Sequence, residues 1–131
     1  MNEQKILDLL RKTKKQALAK YSKFHVSALL VTKDKHFVTG FNIESSSYGL
    51  TICAERVALF KALSEGYRKF DRIYIMSDLK EPCPPCGACR QVLMDYAPNL
   101  KVIMYSSNGK KSEALLDDLI PFAFQGQGLS K

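Results

Sequence analysis

Hydrophobic and polar positions repeat along the chain with two different periods, and these periods predict helices and strands. Between Glu3 and Tyr21, apolar residues recur every three or four positions and lysines fill the gaps, a pattern typical of one amphipathic helix. Four further segments predict strands, and two of these are nearly continuous apolar runs, as expected for strands buried on both faces. The predicted strands are Val26–Val31, Phe37–Phe41, Phe70–Ser77 and Lys101–Tyr105.

Three more helices are predicted between and after these strands, at Cys53–Glu65, Gly87–Tyr96 and Glu113–Leu119. The polar segment Asn42–Ile52 and the proline-rich segment Glu81–Pro85 predict loops, and the two longer helices begin directly after them. A hairpin followed by strands that alternate with helices predicts an α/β fold, a three-layer α/β/α sandwich around a mixed sheet. Loops that leave such a sheet commonly carry functional sites.

Length and composition narrow the class of protein. The chain has 131 residues, of which 46% are hydrophobic and 25% charged, so we expect residues 1–131 to form a single folded domain. No apolar run approaches the length of a membrane-spanning helix or of the hydrophobic part of a secretory signal. We therefore expect a soluble, cytoplasmic protein that does not bind membranes.

The formal net charge of +7 is concentrated near the N-terminus. Up to Lys23 the chain has seven basic and two acidic side chains, whereas basic and acidic residues are nearly balanced afterwards. A basic segment of this kind can bind nucleic acid or an anionic surface. It can equally be the solvated face of one helix, and the absence of interleaved aromatic residues favours this second interpretation.

The four cysteines, Cys53, Cys83, Cys86 and Cys89, indicate metal or redox chemistry. An intracellular chain without a secretory signal is expected to keep its thiols reduced. Cys86 and Cys89 alone could form a thioredoxin-like redox pair, or half of a closed structural zinc site that includes Cys83.

A catalytic zinc site uses more of the sequence than either alternative. Cys53, Cys86 and Cys89 can bind Zn²⁺ as three thiolates and leave the fourth position open, as catalytic zinc sites do. Glu55 is then the candidate to accept a proton from the attacking water. Three thiolates and one Zn²⁺ carry a charge of about −1, so a neighbouring cation is expected; Arg56 and Arg90 are the candidates.

The chain resembles the cytidine deaminases, specifically the short homotetrameric class that acts on free nucleosides. The resemblance rests on motifs that span nearly the whole chain, from residues 21–24 to the Leu-Ile-Pro at 119–121. The most specific of them are Cys-Ala-Glu-Arg at 53–56 and Pro-Cys-Gly-Ala-Cys-Arg-Gln-Val at 85–92. The resemblance implies a mixed five-stranded sheet and the conversion of cytidine and 2′-deoxycytidine to uridine and 2′-deoxyuridine in pyrimidine salvage.

The resemblance also implies a role for each motif residue. Cys53, Cys86 and Cys89 would hold one Zn²⁺ per chain, Glu55 would transfer protons, and Arg56 would temper the thiolate charge. The nucleoside would be bound by Phe24 and the Ala54 backbone at the base and by Asn42 and Glu44 at the ribose. Tyr48 and Phe124 would be contributed to the site of a neighbouring chain.

Three positions depart from the usual text of the family: His25, Ser27 and Phe122 stand where proline, glycine and glycine are common. None of these three positions carries a catalytic group, so we expect the reaction to be unchanged. We expect them to affect the shape of the pocket and the range of substrates. Two other functions use the same chemistry: an editor of RNA or DNA bases, and a deaminase of a nucleoside antibiotic or modified cytidine. A negative Glu44 would repel a phosphate chain, so a nucleic-acid partner is not expected.

Overall fold

Five strands form the sheet, and helices cover both of its faces. The computed structural model of the protein describes residues 1–126. In chain order its elements are α1 (Glu3–Lys14), β1 (Val26–Thr32), β2 (Phe37–Phe41), α2 (Ala54–Ser64), β3 (Phe70–Ser77), α3 (Gly87–Tyr96), β4 (Lys101–Tyr105), β5 (Lys111–Leu115) and α4 (Leu116–Leu119). Within residues 1–126, no helix is long and apolar enough to cross a membrane.

The strands lie in the order β2-β1-β3-β4-β5. Strand β1 pairs antiparallel with both β2 and β3, β3 pairs parallel with β4, and β4 pairs antiparallel with β5. The sheet is therefore mixed and five-stranded, which confirms the expected fold class. The single parallel pair, β3 and β4, is connected through α3, as parallel strands require a crossover.

Helix α1 covers one face of the sheet. Its buried residues Ile6 and Leu10 pack in one cluster with Leu29, Tyr74 and Ile103 from the three central strands. Apolar residues three or four positions apart give α1 this one buried face and leave Lys5 and Lys12 in solvent, as the pattern predicted, whereas Lys14 at the end of the helix is partly buried.

Helices α2 and α3 cover the opposite face. Ala58 and Leu59 of α2 and Leu93 of α3 pack in a second cluster with Ile73 and Ile75 of β3. Side chains alternate along a strand, so β3 can contribute to both clusters and is buried on both faces. The three-layer arrangement is confirmed.

Two predicted helix bounds are wrong. Helix α1 ends at Lys14 rather than Tyr21, because the chain turns at Thr13 and Leu18 then pairs with residues 42 and 44 through two backbone hydrogen bonds. The segment Glu113–Leu115, predicted as helix, belongs to β5, where the Glu113 carboxylate forms an ion pair with Nζ of Lys101 on β4 at 3.0 Å. Without β5, strand β4 would leave an unpaired edge, and this pairing outweighs a weak helical pattern.

The sheet brings helices α2 and α3 to one site. Val26 at the start of β1 pairs with Ser77 at the end of β3, so the chain enters β1 where it leaves β3. Helix α3 begins ten residues after β3, and helix α2 packs against β1 and β2 nearby. The predicted site residues are therefore gathered at this end of the sheet.

Candidate active site

Three sulfur atoms form a cluster that fits a tetrahedral metal ion. The Sγ atom of Cys86 lies 3.6 Å from that of Cys53 and 3.4 Å from that of Cys89, and all three atoms lie within 4.8 Å of one another. Two sulfurs bound to one tetrahedral Zn²⁺ at about 2.3 Å stand about 3.8 Å apart. The three side chains thus have both the donor chemistry and the spacing of a zinc site with an open position.

The local structure explains why these thiols point together. Cys53 is the N-cap of α2 and Cys86 is the N-cap of α3, and neither side chain caps its own helix. Cys89 lies in the first turn of α3 and is completely buried. The unpaired amides at two helix N-termini favour negative charge, which stabilises thiolates at this place.

Arg56 lies beside the cluster, with Nη2 3.5 Å from the Sγ atom of Cys53. Hydrogen bonds from Cys89 and Arg56 lower the pKa of Cys53 to about 5 despite its partial burial. The buried Nε atom of Arg56 has no hydrogen-bond partner among the described residues, and the guanidinium reaches the sulfur cluster through Nη2. This placement fits the cation that the zinc interpretation required.

Arg90, the other cation considered, is occupied elsewhere. Its Nε atom donates to the carbonyl of Pro85 at 2.7 Å, and its Nη1 atom donates to the carbonyl of Leu119 at 2.7 Å. Arg90 therefore links the loop before Cys86 to the end of α4 by hydrogen bonds. These bonds give it a structural role, and its guanidinium is not used on the sulfur cluster.

Cys83 stands outside the cluster. Among the described residues, the group that could hold a metal consists of the other three cysteines, and Cys83 instead approaches the carbonyl of Pro84 at 3.6 Å. Burial raises the pKa of the Cys83 thiol. The geometry thus disfavours a closed four-cysteine site, and the presence of Cys53 beside Cys86 and Cys89 disfavours an isolated redox pair.

Glu55 is buried, with 4% of its surface exposed, and lies in the first turn of α2. Burial raises the pKa of its carboxyl to about 7. A carboxyl group that titrates near neutrality can both accept and donate a proton at the pH of the cell. Its position two residues after Cys53 brings it to the same helix end as the sulfur cluster.

A cavity of about 240 Å³ opens in front of the cluster. Seven residues that were singled out in the sequence line it, namely Phe24, Asn42, Glu44, Cys53, Ala54, Glu55 and Cys86. A second hollow of about 370 Å³ shares Glu44 and Thr51 with it and continues toward Tyr48. The structure thus joins the predicted metal ligands and the predicted substrate contacts around one space.

Asn42 and Glu44 both hold neighbouring backbone. The Oδ1 atom of Asn42 accepts from the Val26 amide, and its Nδ2 atom donates to the Phe24 carbonyl, both at 2.9 Å. The Glu44 carboxylate accepts from the Tyr21 and Ser22 amides and from the Ser22 hydroxyl. These bonds, the Ser22 hydroxyl first among them, lower the pKa of Glu44 and keep it charged.

Tyr48 and Phe124 are not among the residues that line the cavity. Tyr48 is 76% exposed, and its ring lies edge-on to Tyr21 with centroids 6.2 Å apart. The Phe124 side chain is also exposed, and its carbonyl accepts from Gln91.

Sequence reasoning missed several cavity residues, including Thr51 and Ile75, and it considered Cys83 only as a metal ligand. Thr51 stands two positions before Cys53, and in extended backbone that spacing puts side chains on one side, so a signal was present.

The sequence and the fold both match known proteins. Residues 1–106 match the family model of the cytidine and deoxycytidylate deaminase zinc-binding region. The cytidine deaminase of Halalkalibacterium halodurans is 42% identical over 131 residues, which is 99% of each chain, and that of Sporosarcina psychrophila is 39% identical over 99% of this chain and 96% of its own. A solved cytidine deaminase structure from Burkholderia pseudomallei is 40% identical, with a TM-score of 0.90 over 95% of this chain and 100% of that one.

Proposed function

Since this chain belongs to the cytidine and deoxycytidylate deaminase family and hydrolytically deaminates cytidine, we propose that it also accepts 2′-deoxycytidine and that the residues around its sulfur cluster carry the reaction. The observation that supports this most strongly is a buried carboxyl group, Glu55, next to three convergent thiols at the wall of one cavity. The reaction adds the oxygen of water to C4 of the base and breaks the C4–N bond. Ammonia leaves, and no electrons are gained or lost.

Cys53, Cys86 and Cys89 hold the Zn²⁺ of this family. When bound, Zn²⁺ supplies a strong nucleophile by lowering the pKa of water toward neutrality. Arg56 limits the negative charge of the three thiolates, because its guanidinium faces Cys53 and is fixed at the start of α2. With less negative charge at the thiolates, a bound Zn²⁺ would polarise a water molecule more strongly.

Glu55 moves the protons. Its carboxylate accepts a proton from the attacking water and delivers it to the ring nitrogen N3 of the base, and a second transfer releases the amine as ammonia. Glu55 must be ionised to accept the proton and protonated to deliver it, and its burial away from bulk water suits a carboxyl group that changes between the two states near neutral pH.

Phe24, Ala54, Asn42 and Glu44 bind the nucleoside. Phe24 provides an aromatic wall for the pyrimidine, and the backbone of Ala54 contacts the edge of the base. An ionised carboxylate has about four acceptor sites, and Glu44 uses three of them on residues 21 and 22, so one remains for a ribose hydroxyl. Asn42 uses its amide oxygen and one N–H to hold the backbone, so its second N–H remains to donate to the ribose.

The active form is a homotetramer in which Tyr48 and Phe124 complete the site of a neighbouring chain. Both side chains are exposed in the single chain, as are Leu50 and Phe60, and a third hollow, of about 500 Å³, lies between Leu50 and Phe60. Exposed apolar patches of this kind mark interfaces between proteins. Size-exclusion chromatography with light scattering tests this: a mass near four chains supports the proposal, and a monomer at micromolar concentration contradicts it.

A free nucleoside is a better substrate for this site than a polynucleotide. The lysine-rich helix α1 lies on the face of the sheet opposite α2 and α3, which carry the cysteines. The basic charge of α1 is therefore best understood as the solvated face of a helix, and we propose that the single domain 1–131 acts in the cytoplasm in pyrimidine salvage.

Ammonia release from a panel of substrates tests the proposed function. Cytidine and 2′-deoxycytidine are compared with deoxycytidylate, a nucleoside antibiotic that bears an aminopyrimidine, and single-stranded RNA. We expect release from the first two, and loss of release in the Glu55→Ala variant at unchanged zinc content. Turnover of RNA in preference to cytidine, or activity that survives Glu55→Ala, would contradict the proposal.

A further inference from the structure

Phe24 stands outside the sheet, two residues before β1 begins at Val26. Its amide donates to the Ser22 hydroxyl at 3.0 Å, and its carbonyl accepts from Asn42 at 2.9 Å. The preceding residue, Lys23, has a φ of 60°, a left-handed conformation that residues other than glycine rarely adopt. A segment with this backbone needs contacts from outside to hold its shape.

Asp78 provides such a contact at the next residue. Its Oδ2 atom accepts from the His25 amide at 2.8 Å and lies 2.8 Å from Nδ1 of the His25 ring. An ionised carboxylate can only accept hydrogen bonds, so Nδ1 of His25 carries the proton in this pair. One oxygen atom therefore holds both the backbone and the side chain of the residue that follows Phe24.

Lys14 fixes Asp78 in turn. Its Nζ atom lies 3.1 Å from Oδ1 of Asp78 and donates to the Ser77 carbonyl at 3.3 Å. The Lys14 side chain is only 15% exposed, so this pair is more protected from solvent than an ordinary surface ion pair. Burial raises the pKa of Asp78, but the His25 amide, the His25 ring and Lys14 together lower it by more, which keeps the carboxylate ionised.

Lys14, His25 and Asp78, called here the Asp78 network, connect three parts of the fold. Lys14 ends α1, His25 precedes β1, and Asp78 follows β3. The network is separate from the sulfur cluster, since its members are absent from the cavity lining and from the metal group. Its contact with the site runs through the chain itself, from His25 to Phe24.

We propose that Asp78, held by Lys14, is a positioning residue for substrate binding, which it serves by fixing His25 and thereby the Phe24 ring at the cavity wall. The inference rests on the proposed contact between Phe24 and the pyrimidine. It makes His25 part of substrate affinity in this chain. Because the proton-transfer residue and the metal ligands stand elsewhere, a loosened Phe24 weakens binding and leaves the chemical step nearly intact.

The test compares KM and kcat for cytidine in Asp78→Asn and in the parent. Stacking of a base on an aromatic ring is worth about 1–3 kcal/mol, so Phe24→Ala should raise KM about 5- to 150-fold. Asp78→Asn should raise KM roughly three- to tenfold, with kcat within about twofold of the parent. Glu81→Gln is the matched control: it makes the same change three residues away, on an exposed carboxylate that pairs with Lys110, and should leave both constants unchanged.

A double-mutant cycle identifies the route of the effect. If Asp78 acts through Phe24, Asp78→Asn adds less than about twofold to KM in the Phe24→Ala background. At position 25, Asn places a side-chain N–H donor at the same distance from the backbone as Nδ1 of His25 and should keep KM near that of the parent, whereas Leu removes the donor and should raise it. The two His25 variants carry the test if Asp78→Asn does not fold.

Each outcome has one meaning. An unchanged KM in Asp78→Asn, a loss confined to kcat, or an effect that adds fully to that of Phe24→Ala overturns the positioning role. If Phe24→Ala itself leaves KM unchanged, the proposed base contact is wrong, and the positioning proposal is overturned with it. A raised KM in His25→Leu that is equally raised in His25→Asn likewise contradicts a role for the hydrogen bond.

Discussion

Gly40 of β2 faces α2 so closely that a single methyl group there should disturb both the fold and the metal site. A Cβ atom at this position would lie 2.5 Å from the Ala54 carbonyl oxygen, 2.6 Å from the Ala58 nitrogen and 3.0 Å from the Ala58 Cα atom. All three are backbone atoms of α2, and no side-chain rotation can move them away. The substitution Gly40→Ala therefore has to push the helix off the sheet.

The size of the displacement follows from these distances. An ordinary Cβ contact begins at 3.4 Å, so the Ala54 oxygen must move by about 0.9 Å. Overpacking of this kind costs about 2–3 kcal/mol, which lowers the Tm of a domain of this size by about 8–12 °C. The same shift moves Cys53 and Glu55 at the start of α2, whereas metal–ligand distances tolerate only about 0.2 Å.

We expect Gly40→Ala to melt at a lower temperature, to retain less than one zinc per chain after dialysis, and to lose activity in proportion to the missing zinc. Thermal unfolding and metal analysis on the same samples measure this. Gly49→Ala is the control, because a methyl group there meets nothing within 4 Å. A Gly40→Ala protein as stable and as fully loaded as the parent would refute the close approach of β2 and α2.

Three further predictions concern single side chains. Glu55→Gln should reduce ammonia release about 10²- to 10⁴-fold while zinc content stays at that of the parent, because it removes the proton-transfer group and keeps its shape; an active variant would exclude Glu55 from proton transfer. Arg56→Ala should lower kcat and largely preserve bound zinc, since its guanidinium faces Cys53 at 3.5 Å, and unchanged turnover would remove Arg56 from the mechanism. Glu3 accepts from the Tyr105 hydroxyl and pairs with Lys111, and these contacts lower its pKa below 4.5. A lowered pKa stabilises the folded state above pH 4.5, and this stabilisation is lost as the pH falls through the folded pKa. Glu3→Gln should therefore flatten the decline of Tm between neutral pH and about pH 3. A decline as steep as that of the parent would show that Glu3 makes no such contribution.

The metal site could be predicted from sequence because its chemistry and its local structure coincide. Cys53 and Cys86 each stand directly before a helix that the apolar pattern predicted, and thiolates at helix N-termini are a recognisable arrangement. The two motifs also agree with a family pattern over most of the chain. The spacing of the cysteines thus carried the information that geometry later confirmed.

The end of α1 and strand β5 could not be predicted from local pattern. Both depend on pairing with another segment of the chain: Leu18 leaves the helix to pair with residues 42 and 44, and β5 takes its conformation from the open edge of β4, the strand directly before it. The segment Lys111–Leu115 has little intrinsic strand propensity, so its own residues gave no signal.

The Asp78 network was similarly invisible. Lys14, His25 and Asp78 are separated by up to 64 positions, and each is an unremarkable polar residue in its own segment. Only the antiparallel pairing of β1 with β3 brings His25 next to Asp78, through the register that pairs Val26 with Ser77. Side-chain networks of this type follow from tertiary register, which a single sequence does not specify.

Titration of zinc into metal-depleted protein, with ammonia release from cytidine recorded at each step, tests whether the sulfur cluster is the zinc site of the reaction. We expect activity to rise in proportion to bound zinc and to saturate at one Zn²⁺ per chain. We also expect Cys86→Ser to bind zinc weakly and to stay inactive at the same concentrations. Full activity without metal, saturation at a different stoichiometry, or one tightly bound zinc with no ammonia released would contradict this assignment.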